Sequence, residues 1–352
     1  MASEPLLFQS EKDAAALIAG IPLAARAVMA LARDQRDGGP RDLIVLEAPG
    51  GWHDSTALAN EIARLCPLAG TKFSTFQGVS GTPVLDPLTV ITTGNAAEPR
   101  PAHAVLKRDP RDVAIALETE ARTVLLRTGK ATDGLVSRWI NRPISRFLSH
   151  HLLKWRGVRP LHATIATALI ALVMAFALVM GGEVGLVAGA VLFQLASIVD
   201  GVDGEIARAT LRTSKAGASL DTAIDAATNA AFIAGVSANI WQQGYRDAAL
   251  AGWAGLALMA IGLGLIGARS LASGGPLSFD ALKHQASASG SAVLAVLGKL
   301  TSRDVYALVL ALAIIAGFAA AAMIAFAIAA ATWFVAAMIM LAKAGGPETR
   351  GR

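Results

Sequence analysis

The sequence predicts an α-helical membrane protein, with six transmembrane helices preceded by an amphipathic juxtamembrane helix and a small soluble α/β domain. Apolar residues make up 54% of the 352 but are unevenly placed. Residues 1–160 mix charges, prolines and short apolar runs, whereas long apolar stretches dominate from Leu161 onward. Those stretches reach the roughly 20 residues that cross a bilayer. The segment just before them is basic on one side and apolar on the other. The expected domains are therefore a cytoplasmic α/β domain (1–130), a juxtamembrane helix (131–160) and a six-helix membrane domain (161–345).

In the first domain, apolar positions at Ala15, Leu17, Ile18, Ile21 and Leu23 predict a helix over 12–36. Asp42–Glu47 predicts a buried strand ended by Pro49, Gly50 and Gly51. Asp54–Leu65 predicts a helix capped by Asp54 or Ser55. Lys72–Gln77 and Leu88–Thr92 read as further strands, and 110–130 as a helix leading into the membrane part. Such alternation is a small α/β layer fold. The first 30 residues hold Glu4, Glu11 and Asp13 and show no secretory signal pattern, so this part is expected in the cytoplasm. Cys66 is the single cysteine, which excludes an intramolecular disulfide.

Asp133–Lys154 places Leu135, Trp139, Ile140, Ile144, Phe147, Leu148 and Leu152 on one side. Arg138, Arg142, Arg146 and Lys154 form the basic side. This pattern predicts a helix lying on the membrane surface, with a kink at Pro143. His150 and His151 have no metal-ligand partner nearby in sequence and read as interfacial.

The six expected spans are Leu161–Met180, Val184–Ala207, Asp221–Trp241, Ala248–Ala268, Val305–Ala320 and Ala322–Ala342, with a hairpin between Gly317 and Ala322. Lys154, Arg156 and Arg159 precede the first span. Arg208, Arg212 and Lys215 follow the second. Arg269, Lys283, Lys299 and Arg303 follow the fourth, and Lys343, Arg350 and Arg352 the sixth. Of the opposite connections, two have no Lys or Arg and one has only Arg246. Both termini are thus expected on the cytoplasmic side. The net charge of +5 follows from this topology. A nucleic-acid partner is disfavoured, because no basic patch is interleaved with aromatics. Ser273–Lys299, rich in Ser, Ala and Gly, reads as a lid or a linker.

Asp200, Asp203, Asp221 and Asp225 sit in or beside these apolar segments. A carboxylate at the bilayer centre costs about 2.5–3.5 kcal/mol on insertion scales. Four together call for a compensating cation of the Mg²⁺ kind. At about 100° per residue Asp200, Asp203, Gly204 and Ala207 share one helix face, and Gly217, Asp221 and Asp225 another. Carboxylates beside small residues suit a diphosphate and its nucleoside. The stretch DGVDGEIAR, eight residues, then GASLDTAID resembles the signature D-x2-D-G-x2-A-R-x8-G-x3-D-x3-D of the CDP-alcohol phosphotransferase (CDP-alcohol phosphatidyltransferase) family. Asp200, Asp203, Gly204, Ala207, Arg208, Gly217, Asp221 and Asp225 fill every specified position.

The resemblance implies two divalent ions, Mg²⁺ or Mn²⁺, held by Asp200, Asp203, Asp221 and Asp225. It implies Asp225 as general base on an acceptor hydroxyl, attack on the β-phosphorus of a CDP-linked donor, and release of CMP. Gly204, Ala207, Arg208 and Gly217 would receive the CDP moiety. Arg138, Arg142, Arg269 and Arg303 are candidates for an acceptor phosphate. The juxtamembrane run resembles the inositol-phosphate-using branch. Ile21–Glu47 is similar to the segment after the signature loop of nucleotidyltransferases, a domain fused to some family members. No glycine-rich phosphate loop precedes Ile21, so this domain reads either as degenerate or as an unrelated accessory. Leu161 stands where many relatives have Asn in P-N-x-x-T. The donor is either a soluble CDP-alcohol or CDP-diacylglycerol, the latter making the chain a phospholipid synthase. A cation-binding transporter is the reading from another class, and it predicts inverted repeats that the six segments do not show. A homodimer packed through membrane helices is the family expectation.

Overall fold

A computed structural model describes residues 4–32, 43–94, 97–130, 133–273 and 303–343. The chain forms two compact units. One comprises Met1–Gly129, Arg146–Pro160 and Gly204–Thr213, and the other Lys130–Ser145, Leu161–Asp203 and Ser214–Arg352.

The first unit is built in the order β1 (Leu6–Leu7), α1 (Glu11–Ala14), β2 (Leu17–Ile18), β3 (Ile21–Pro22), α2 (Leu23–Ala32), β4 (Ile44–Ala48), α3 (Thr56–Leu65), β5 (Thr71–Thr75), β6 (Pro83–Val84), α4 (Pro87–Thr93), β7 (Arg100–Pro101), α5 (Ala102–Leu106) and α6 (Pro110–Leu126). Strands β1, β4 and β5 make a parallel sheet with β4 central, in register from Ile44 opposite Thr71 to Ala48 opposite Thr75. Ile44, Leu46 and Ala48 alternate inward as period-two geometry requires, and Leu6 and Leu7 are both fully buried. The α/β expectation holds in outline and needs two corrections. Residues 12–36 are not one helix, because Ala19 and Gly20 turn with positive φ (45° and 79°) into the antiparallel β2–β3 hairpin. Pro22 then excludes helix before Leu23. Leu88–Thr92 is helical rather than extended. Asp86 accepts from the Leu88 amide and Pro87 fills the first turn, a start signal that outweighs the β-branched residues after it.

Ser137–Asn141 forms a π-helical turn followed by α7 (Arg142–Leu152). Pro143 lacks the N–H that Trp139 would bond, which explains the widened turn at the expected kink. Leu135, Trp139, Ile140, Ile144 and Phe147 are exposed, as an interfacial helix requires. His150 differs from the expectation: its Nε2 lies 2.8 Å from Glu118 Oε1, and only His151 is exposed.

The second unit contains α8 (Pro160–Met180), α9 (Gly182–Ala209), α10 (Lys215–Gln242), α11 (Arg246–Ser273), α12 (Arg303–Ile315) and α13 (Ala319–Lys343), the outermost residues of α8 and α9 excepted. Among the described residues, four helices are long and apolar enough to cross a membrane: Pro160–Met180, Gly182–Ala209, Arg246–Arg269 and Ala319–Ile339. The expected count of six therefore stands at four by length and composition. The third expected span lies in α10, which has 28 residues but carries Thr228, Asn229, Ser237 and Asn239. The fifth lies in α12, whose 13 residues reach about 20 Å at 1.5 Å each, short of a hydrocarbon core of roughly 30 Å. Gly317, at φ 85°, turns the chain into α13. Ser273–Lys299 lies outside the described residues apart from its first position.

Thr228, Ser237 and Asn239 of α10 are buried in protein. Asn239 is 1% exposed and its amide donates to Leu178 O and to Gly182 O, tying off the α8–α9 turn. Phe232 stacks on Phe193 of α9, with ring centroids 3.9 Å apart. A Cβ on Gly235 would meet Leu178 Cβ at 2.9 Å, so α8 and α10 approach through a small residue, as membrane helices do. Asn239→Leu is expected to cost about 1–3 kcal/mol by stranding the buried Leu178 carbonyl. Gly235→Leu is expected to be at least as destabilising, because helix backbones must separate. Thermal unfolding in detergent checks both; an unchanged midpoint for either variant would contradict this packing.

Candidate active site

α9 is mostly apolar from Val184 to Val199 and then reads DGVDGEIARA. Asp200 and Asp203 lie three residues apart on one face. Asp203 is 7% exposed, and Thr164 of α8 donates to its Oδ2 at 2.8 Å. Thr164 is the last residue of Pro160-Leu161-His162-Ala163-Thr164. The departure at Leu161 therefore leaves the threonine contact in place.

Ser214 begins α10 as an N-cap, accepting the Gly217 amide at 3.0 Å. Asp221 and Asp225 follow, each half-buried and one turn apart. Asn229 continues this stripe. Its Nδ2 donates to the Asp225 carbonyl at 2.6 Å, while its buried Oδ1 has no hydrogen-bond partner. The donor set on the two helices is hard carboxylate oxygen, which suits Mg²⁺ chemically. Among the described residues, however, no three His, Cys, Asp or Glu groups stand close enough to hold a metal ion together. The structure gives two carboxylate pairs on two helices and does not gather three about one point.

Arg142 is 8% exposed and is engaged by Asp133, with Nε to Oδ2 and Nη2 to Oδ1 both 2.9 Å. Its Nη1 donates to Gly201 O at 3.3 Å, between the two α9 aspartates. A Cβ on Gly201 would sit 3.3 Å from that Nη1, so glycine admits the guanidinium. Burial alone would raise the Asp133 pKa. Hydrogen bonds from Arg142 and the Lys130 amide outweigh it and hold the carboxyl below its usual value. Arg138 is exposed and reaches Asp133 O at 3.4 Å. Gln194 of α9 donates to Asn141 Oδ1 at 2.8 Å. Arg269 is half-buried on α11, and Arg303 opens α12 with its side chain outside the described residues. Of the four arginines expected at an acceptor phosphate, Arg142 is the one that braces the aspartate helix. Asp133 and Thr164 went unsingled in the sequence. The signals were an acid nine residues before a mid-helix arginine and the threonine of the opening motif.

The remaining signature residues have local structural roles. A Cβ on Gly204 would meet Arg208 Nη1 at 2.9 Å, because the arginine folds back over the preceding turn. Arg208 Nε donates to Thr128 O at 2.7 Å. Ala207 is half-buried beside them. A Cβ on Gly217 would meet Ser214 Oγ at 2.9 Å, so that glycine also belongs to its helix cap.

Residues 161–335 match the family described as CDP-alcohol phosphatidyltransferase. A protein of Thermococcus kodakarensis named bifunctional IPC transferase and DIPP synthase is 42% identical over 116 residues, 32% of this chain and 26% of its own. A protein of the same name from Aquifex aeolicus is 34% identical over 135 residues, 37% of this chain and 28% of its own. A third, from Rubrobacter xylanophilus, is 36% identical over 148 residues, 42% of this chain and 31% of its own. The chain thus spans less than a third of the length of these curated relatives. Residues 161–335, which hold the whole aspartate signature, are thus a CDP-alcohol phosphatidyltransferase domain.

Proposed function

We propose that the chain is a metal-dependent transferase that moves a phosphoalcohol group from a CDP-linked donor to an alcohol, releasing CMP. The observation that carries this reading is the complete eight-residue signature across α9 and α10, inside the segment matched by the family. Asp200, Asp203, Asp221 and Asp225 would hold two divalent ions, Mg²⁺ or Mn²⁺. When bound, such ions offset diphosphate charge and stabilise attacking and leaving oxygens. Asp225 takes the proton of the acceptor hydroxyl. That oxygen bonds to the β-phosphorus, the phosphoanhydride P–O bond breaks, and CMP leaves with the electron pair. Gly204, Ala207, Arg208 and Gly217 receive the CDP moiety. Thr164 and Arg142 hold the aspartate helix in place, and Arg138, Arg269 and Arg303 supply charge for a phosphate on the acceptor.

Inositol phosphate is the acceptor this reading favours, on the resemblance to relatives named for IPC transfer and DIPP synthesis. The family description favours a second scheme, in which the donor is CDP-diacylglycerol and the chain makes a phospholipid. In either scheme the protein sits in the cell (inner) membrane as a homodimer, with both termini and the aspartates on the cytoplasmic side, where nucleotides are made.

Purified protein with Mg²⁺ is expected to release CMP from CDP-inositol plus inositol phosphate. Turnover only with CDP-diacylglycerol would select the second scheme, and silence with both pairs would overturn inositol phosphate as acceptor. Chelation should abolish release, and readdition of Mg²⁺ or Mn²⁺ should restore it. Asp225→Asn should lower turnover by roughly 10²–10⁴, the span of general-base catalysis, while leaving the melting point unchanged. A variant that keeps its rate removes Asp225 as the base.

A further inference from the structure

A helix ends with four carbonyls that lack intrahelical donors. At the end of α9 each of them finds a partner. Ile206 O accepts the Thr210 amide at 2.9 Å and the Thr210 hydroxyl at 2.6 Å. Ala207 O accepts the Arg212 amide at 2.8 Å, and Arg208 O the Leu211 amide at 3.4 Å. This is the Schellman pattern. Ala209 O accepts Arg26 Nη2 at 3.1 Å. Just beyond, Thr210 O and Leu211 O accept Arg64 Nη2 at 2.9 Å and Nη1 at 3.2 Å. Leu211 stands at φ 54°, where glycine is usual. A leucine held in the left-handed region persists only when its surroundings over-determine it. Here the two Arg64 bonds bracket that strained peptide.

Both arginines come from the α/β layers. Arg26 lies on α2, is 9% exposed, and is itself fixed by Nε donating to Ile18 O at 2.9 Å. Arg64 lies on α3 and pairs with Glu61, which also meets Arg212 at 3.1 Å. The β2–β3 turn presses on the same place, since a Cβ on Gly20 would lie 2.8 Å from Thr210 Cγ2. Two cations at a helix C-terminus are favoured by its dipole. Residues Gly204–Thr213 accordingly group with Met1–Gly129 in one compact unit.

We propose that Arg26 and Arg64 are positioning residues. By clamping the last turn of α9, they fix Gly204, Ala207 and Arg208 for the CDP moiety, and this is the work of the N-terminal α/β layers. The proposal rests on the transferase reading above. It assigns these layers a task that needs no phosphate loop of their own.

The test uses the full-length chain in nanodiscs, with CDP as probe in the presence of Mg²⁺. The variants are Arg64→Ala, at a side chain 31% exposed, Arg64→Lys, Arg26→Ala, and Arg122→Ala as a distant control on the exposed Glu118 pair. Calorimetry gives the dissociation constant, and hydrogen exchange reports on residues 205–213. For Arg64→Ala the expected result is CDP affinity weaker by about tenfold. Exchange at 205–213 should be faster, with no change at the control. A lysine serves one carbonyl at a time, so Arg64→Lys should recover part of the affinity. Where CMP release is measurable, KM for the donor should rise more than kcat falls. Faster exchange with unchanged CDP affinity would reduce the clamp to domain docking and overturn the proposal alone. A wild-type chain that binds no CDP would overturn the transferase reading and the proposal together.

Discussion

Placing carboxylates on helices that otherwise face apolar surroundings is the constraint from which the second unit follows. Each charge loses water, and each therefore needs a polar partner within its own unit. Thr164 answers for Asp203. Arg142 answers for the backbone between Asp200 and Asp203, and it is neutralised in turn by Asp133. That chain of obligations explains residues which no catalytic argument would select. Gly201 is small because a guanidinium passes over it. Asp133 is acidic because the guanidinium is buried. The bidentate pair with Asp133 fixes the orientation in which the guanidinium reaches Gly201 O.

The same accounting separates what was legible in the sequence from what was not. The aspartate helices, the juxtamembrane element and the α/β outline were all visible, because each rests on local periodicity or on fixed spacing. The errors lie where a local signal competed with a stronger one nearby. Val90, Ile91 and Thr92 looked like a strand, yet Asp86 and Pro87 had already started a helix. Ala15 to Leu23 looked helical, and the turn at Ala19–Gly20 split it. The third expected span lies in α10, whose apolar composition is diluted by Ser237 and Asn239. Those residues are polar because they face protein, and Asn239 serves two carbonyls of the neighbouring turn. A hydropathy window reads average composition and has no access to that pairing. The roles of Asp133 and Thr164 were illegible for a related reason. Each depends on a contact dozens of residues away or on a helix rotation that spacing alone leaves free.

The α/β layers of the first unit are well formed, with a parallel sheet, buried Leu6 and Leu7, and a buried acid, Asp86, bound by Arg108 through two hydrogen bonds. A domain kept only as a relic would have no reason to direct Arg26, Arg64 and a strained hairpin tip onto ten residues of another segment. The strain runs both ways. Gly20 accepts positive φ and a close Thr210, and Leu211 accepts positive φ beneath Arg64. The hairpin turn at Gly20 and the left-handed Leu211 thus meet at the same helix end. Removing either contact leaves the other without its support, so the coupling should appear as non-additivity between substitutions at Gly20 and Arg64. A Gly20→Ala, Arg64→Ala double-mutant cycle, read by thermal unfolding, is expected to return a coupling energy of about 0.5–3 kcal/mol. Strict additivity would mean that the hairpin tip and the arginine hold the helix end independently.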